Sequence, residues 1–213
     1  SLVSALGAVD PYDSADALAA DLDIVHRSLL ANGSADLARG RLRRIRRAVS
    51  VFGFHLAPID LRQNSEVHER VVAELLEVAH PGTAYLDLDE PSRIALLSEE
   101  LASARPLQSP HVGYSDETAA ELAIFHAAAE AHRRYGAESV PNCIVSKAAA
   151  VSDLLEVALL LKEAGLLDPR AGSLAVNVIP LFETIADLQA SGPVMDSLLA
   201  LPAWQRLLPS RGH

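Results

Sequence analysis

At 213 residues, half of them hydrophobic, the chain can bury a sizeable core, and with aromatics at only 4% that core must come from Leu, Val, Ile and Ala. A formal net charge of -10 argues against a general nucleic-acid binder, and the lone Cys143 excludes an intramolecular disulfide. No basic-then-apolar leader opens the sequence, and its richest apolar stretch, Leu154 to Leu167, is broken by Glu156, Lys162 and Glu163; a buried helix in a cytoplasmic protein is expected rather than a membrane span.

In chain order, Ser14 can cap a helix carrying Leu18, Leu22, Val25 and Leu29, which stops at Asn32-Gly33. The run Arg39 to Arg47 follows, holding six of the 18 basic residues around a stripe of Leu42, Ile45, Val49 and Phe52. A solvated helix face is the expected reading, with a docking surface for an acidic segment as the sharper one. Asn64 or Ser65 can cap a helix with Val67, Val71, Leu75 and Val78 on one face. Asp89, with Pro91 in the first turn, opens another, and Ser115 begins a long one that closes at Gly136.

The pattern then changes. Asn142 to Ser146 is short, apolar and bounded by Pro141, which predicts a buried strand. Ser152 is expected to cap a helix running to Gly165, and Leu174 to Ile179 to form a second strand. A short helix around Thr184 to Gln189 and a last one from Val194 to Leu207 complete the reading. Strand and helix alternating at this spacing imply parallel strands, about three of them against seven or eight helices, in a single domain over 1–213.

Two islands carry the chemistry. Ile59-Asp60-Leu61-Arg62-Gln63-Asn64-Ser65 and Val178-Ile179-Pro180-Leu181-Phe182-Glu183-Thr184 each begin as an apolar run and deliver a charge where a helix starts. In α/β architectures that junction is where ligands bind. In isolation, Arg62 would be read as an ion-pair partner of Asp60 or Glu66, and Glu183 as a first-turn carboxylate complementing a helix dipole. The eight His lack metal-ligand spacing, and Cys143 sits in an apolar strand with no nearby cation, as an inert thiol would.

Phe52-Gly53-Phe54-His55-Leu56-Ala57-Pro58-Ile59-Asp60-Leu61-Arg62-Gln63-Asn64-Ser65 resembles the bacterial phosphoenolpyruvate carboxylase family. The likeness continues at Arg105-Pro106-Leu107, Ser152 to Val157, Leu160 to Gly165 and Pro180-Leu181-Phe182-Glu183-Thr184, in the family's order and over nearly the whole chain. It implies an α/β, strongly helix-rich fold, part of a (β/α)8 barrel. It also implies conversion of phosphoenolpyruvate and bicarbonate to oxaloacetate and phosphate with Mg2+ or Mn2+. Arg62 matches the family's phosphate-binding arginine, and Glu183 one of its two metal-binding carboxylates. Lys147 departs from the usual Met and could reach either an anionic site or solvent.

Other family motifs are not found: a Thr-Ala-His-Pro-Thr segment, a Gly-Arg-Gly-Gly loop, and the Tyr-Ser-Asp-Ser motif with the second metal carboxylate. The expectation is therefore a central segment of a carboxylase, inactive by itself and prone to self-associate, with the parent a homo-oligomer. The alternative is a free-standing, non-catalytic module that docks on other subunits or weakly binds a phosphorylated ligand.

Overall fold

The structure is a computed structural model and describes residues 12–212. It comprises two compact units, Ser1–Pro58 and Ile59–His213. The first contains α1 (Ala15–Ala31), α2 (Ala35–Arg39) and α3 (Arg41–Phe52). As the sequence predicts, the Ser14 hydroxyl accepts from the Ala17 amide and caps α1. In the basic run, Arg41, Arg43, Arg44 and Arg47 are exposed, while Arg46 Nε donates to Asp23 at 2.7 Å and ties α3 to α1.

The second unit holds β1 (Leu61–Asn64), α4 (Ser65–Ala79), α5 (Glu90–Ala102), α6 (Asp116–Tyr135), β2 (Asn142–Ser146) and α7 (Val151–Glu163). It continues with β3 (Leu167–Asp168), β4 (Ser173–Leu174), β5 (Asn177–Leu181), α8 (Ile185–Ala200) and α9 (Pro202–Gln205). The fold is helix-rich with a small parallel sheet in the order β1-β2-β5. Leu61 lies opposite Cys143, and Cys143 opposite Val178. Each strand is followed by a helix, α4, α7 and α8 respectively, so three helix N-termini gather at the carboxyl end of one sheet.

The core is aliphatic, as composition requires. Leu154, Leu155, Leu159, Leu160 and Leu161 of α7 are fully buried, among Val71, Val72, Leu75 and Leu76 of α4, Leu97 of α5 and Val145 of β2. At about 2 kcal/mol for each buried leucine, this helix is the largest single anchor of the sheet. Asp89 and Ser115 cap α5 and α6 through the amides of Ser92 and Thr118.

Four local expectations are corrected. The stretch 174–179 is not one strand. Leu174 pairs antiparallel with Leu167, and the chain changes partners before Asn177 donates to the Pro141 carbonyl at 2.8 Å. Ser152 does not cap α7: the Asp153 carboxylate accepts from the Ala149 and Ala150 amides, and the Ser152 hydroxyl donates to Glu90 at 2.6 Å. Neither Asn64 nor Ser65 caps α4 by side chain, since the Ser65 hydroxyl donates to the Lys147 carbonyl at 3.2 Å. Last, α8 runs unbroken through Pro193. A proline there removes an amide and crowds the preceding turn, but Gln189 and Pro193 are exposed, so water can serve the freed carbonyl.

One buried pair escaped the sequence. Tyr85 donates its phenolic hydrogen to Glu156 Oε1 at 2.7 Å, with both residues enclosed between α4, α5 and α7. Arg93 lies over the Tyr85 ring and pairs with Glu69. Burial pushes the Glu156 carboxyl up to about 8, against the hydrogen bond from Tyr85, with Asp153 and Glu69 adding repulsion. In an unfolded chain the group titrates near 4.3, so the folded state holds the proton more tightly. Its stabilisation is complete below about pH 4 and is lost as pH rises through about 8. Glu156→Gln is expected to flatten this dependence, removing a decline of about 4 kcal/mol between pH 5 and 8. Denaturant unfolding across that range checks it: an unchanged slope would mean that Glu156 ionises freely in the fold.

Candidate active site at the carboxyl end of the sheet

The two islands converge. Arg62 lies on β1, and Glu183 lies two residues past β5 and just before Thr184, the N-cap of α8. Thr184 accepts from the Asp187 amide, and the Asp187 carboxylate accepts from the Thr184 amide. This reciprocal cap fixes where the chain enters the helix and takes the place that Glu183 would have needed as a first-turn carboxylate. Glu183 stays outside the helix and pairs with Arg62, its Oε1 3.5 Å from Nη2.

The central strand supplies the third part. Ser146, the last residue of β2, is buried, and its Oγ accepts from Arg62 Nε at 2.9 Å. The next residue, Lys147, has φ of 56°, and among the described residues it is the only non-glycine with positive φ. That left-handed conformation costs an ordinary side chain roughly 1 kcal/mol. The Ser65 hydroxyl holds the Lys147 carbonyl, and the Ala148 amide donates to the Leu181 carbonyl at 3.2 Å, so the turn is tied to the start of α4 and to the end of β5. Lys147 Nζ lies 3.6 Å from Glu66 Oε1 in the first turn of α4.

The partners expected of an isolated Arg62 are therefore otherwise engaged. Glu66 faces Lys147, and Asp60 accepts from Asn142 at 2.9 Å. Two cations and two carboxylates alternate across the strand ends, all partly exposed. Such pairs add little to stability and leave the charges available to a ligand. A guanidinium whose terminal nitrogens carry only one long, partly exposed ion pair suits a phosphate, which it can bind through two parallel hydrogen bonds. A half-exposed carboxylate suits a hard divalent cation. In number, however, the donors fall short: among the described residues no group of three or more His, Cys, Asp or Glu gathers to hold a metal ion. Glu183 fits such a cation in kind and cannot hold it alone.

Cys143, in the middle strand, behaves as a core thiol, with burial pushing it up to about 12. His68 is fully buried, 3.4 Å from Glu121 and edge-on to Phe125, which is a packing role. Ser146 is the site residue that the motifs did not reveal. The only signal was its place at the end of a β-branched strand, beside Lys147.

The sequence family described as phosphoenolpyruvate carboxylase matches residues 3–213. The chain belongs to this family. It is 67% identical over 199 residues to the phosphoenolpyruvate carboxylase of Aromatoleum aromaticum, covering 93% of this chain and 22% of that protein. It is 64% identical over 207 residues to that of Azoarcus sp., covering 97% of this chain and 23% of the relative. The carboxylase of Azorhizobium caulinodans is 64% identical over 202 residues, with 95% and 22% covered. The chain thus spans somewhat over a fifth of the length of the curated relatives it matches. No helix among the described residues is long and apolar enough to cross a membrane.

Proposed function

We propose that this chain is the portion of a phosphoenolpyruvate carboxylase that contributes a phosphate-binding arginine, Arg62, and a metal-binding carboxylate, Glu183, to the active site. The observation that carries this reading is their meeting at 3.5 Å from opposite edges of the sheet, at the end where α/β enzymes bind ligands. In the reaction, phosphoenolpyruvate and bicarbonate give oxaloacetate and phosphate. Arg62 binds the phosphate through its outer nitrogens. Glu183 holds Mg2+ or Mn2+ together with carboxylates that the described residues do not include. When bound, the cation supplies the fixed positive charge that an enolate requires.

The three strand-helix units form an arc of a (β/α)8 barrel. Supporting this, β5, an outer strand of the sheet, contributes Asn177, Val178 and Ile179 to a groove of about 530 Å³ shared with Met195, Leu198, Trp204 and Arg211, where a further strand would be covered. The parent enzyme is a cytoplasmic homo-oligomer in this reading.

The segment can be tested in a working frame. Residues 1–213, grafted in place of the matching stretch of the Aromatoleum aromaticum carboxylase, are expected to support oxaloacetate formation, read by coupling to malate dehydrogenase. The same 213 residues alone are expected to give none. A grafted enzyme that folds and assembles but makes no oxaloacetate contradicts the proposal, as does turnover by the separate chain.

A further inference from the structure

The Arg62 side chain is 60% exposed, yet it does not hang free. An arginine loses rotamer freedom when a ligand immobilises it, so an exposed one binds poorly unless something holds it first. Two groups touch its inner edge. Ser146 Oγ accepts from Nε at 2.9 Å, and Glu183 Oε1 lies 3.5 Å from Nη2. Among the described residues Nη1 makes no hydrogen bond and Nη2 has only the long contact with Glu183, so both terminal nitrogens remain available to a ligand.

The two contacts differ in kind. The ion pair is long and partly exposed, and it competes with any cation that Glu183 binds. The serine is neutral, buried and part of the central strand. Its backbone is set by pairing with both Asn64 of β1 and Leu181 of β5. The following turn is pinned again through Ser65 and Leu181. A hydroxyl so fixed can hold Nε without neutralising the guanidinium, which a carboxylate in the same place could not do.

We propose that Ser146 is the positioning residue for Arg62: its hydroxyl fixes the guanidinium through Nε so that the outer nitrogens meet a phosphoryl group already oriented. This rests on the reading of Arg62 as a phosphate ligand. Ser146 touches no substrate itself and acts only through the arginine.

The test is a double-mutant cycle in a full-length carboxylase carrying this segment, reading the dissociation constant of phosphoenolpyruvate with magnesium present and bicarbonate absent. S146A is expected to weaken binding about tenfold, since it removes a hydrogen bond to a charged group. R62K, which has no Nε to present, is expected to weaken it at least as much. In the R62K background, S146A is expected to add less than about twofold, because coupled residues are non-additive. S146C keeps the side-chain shape, slightly enlarged, and offers only a weak acceptor, so it gives the same readout if S146A does not melt cooperatively. If R62K weakens binding while both Ser146 variants leave it unchanged, the positioning role is overturned and Arg62 as ligand stands. Equal losses from S146A in both backgrounds assign Ser146 a general structural role and also overturn the proposal. Binding unaffected by R62K overturns the phosphate reading of Arg62 beneath it.

Discussion

Replacing Glu183 with Ala in a full-length carboxylase carrying this segment is expected to lower oxaloacetate formation about a thousandfold, the scale of removing a group that stabilises developing charge. The fold is expected to persist. Among the described residues the Glu183 carboxylate makes one polar contact, a 3.5 Å ion pair with a partly exposed Arg62, and such a pair contributes at most about 1 kcal/mol. Thr184 and Asp187 cap α8 without it, so the helix start survives the substitution. The experiment also separates two roles with opposite signs. If Glu183 only neutralised Arg62, its removal would free the guanidinium and tighten phosphoenolpyruvate binding while turnover continued. If it holds a cation, turnover falls and the requirement for magnesium rises steeply. Steady-state rates across a magnesium titration decide between them, and normal activity at low magnesium would falsify the metal assignment.

The second large effect is at Arg62. Arg62→Ala is expected to raise KM for phosphoenolpyruvate about a hundredfold, the cost of losing two charge-assisted hydrogen bonds to one phosphate. Arg62→Lys restores the charge but not the planar fork and is expected to recover only part of that loss. Thermal melting should shift by no more than a few degrees in either variant, because Arg62 is anchored from the surface inward and fills no core space. A KM within twofold of the parent in both variants would remove Arg62 from the phosphate site.

Much of the fold could be read in the sequence because its parts are local. The caps at Ser14, Asp89 and Ser115 each need one hydroxyl or carboxylate and an amide three residues on, a spacing visible in one dimension. β2 was legible as a short apolar run behind a proline, and Arg62 and Glu183 as charges at strand ends. What stayed hidden depends on which elements become neighbours. Leu174 and Asn177 lie in one continuous run of residues, yet the short strand at Leu167 claims the first and Pro141 the second. Ser152 looked like a cap until Glu90 of α5 arrived to accept its hydrogen. The pairing of Tyr85 with Glu156 joins residues far apart in the chain and has no periodic signature. Ser146 was hidden for the same reason, since its hydroxyl matters only once β1 lies alongside.

Helix α7 has eleven of its thirteen residues buried and therefore lacks the solvent-facing side along which most helices accumulate neutral change. Nearly every position on it is answerable to a neighbour: the leucines to volume, Glu156 to Tyr85, and Lys162 to the Glu100 and Arg105 carbonyls. Sequence drift along α7 is accordingly confined to exchanges that conserve volume, or to paired changes across an interface. A random substitution on α7 is therefore expected to cost more stability than one at an exposed position of α3, α6 or α8.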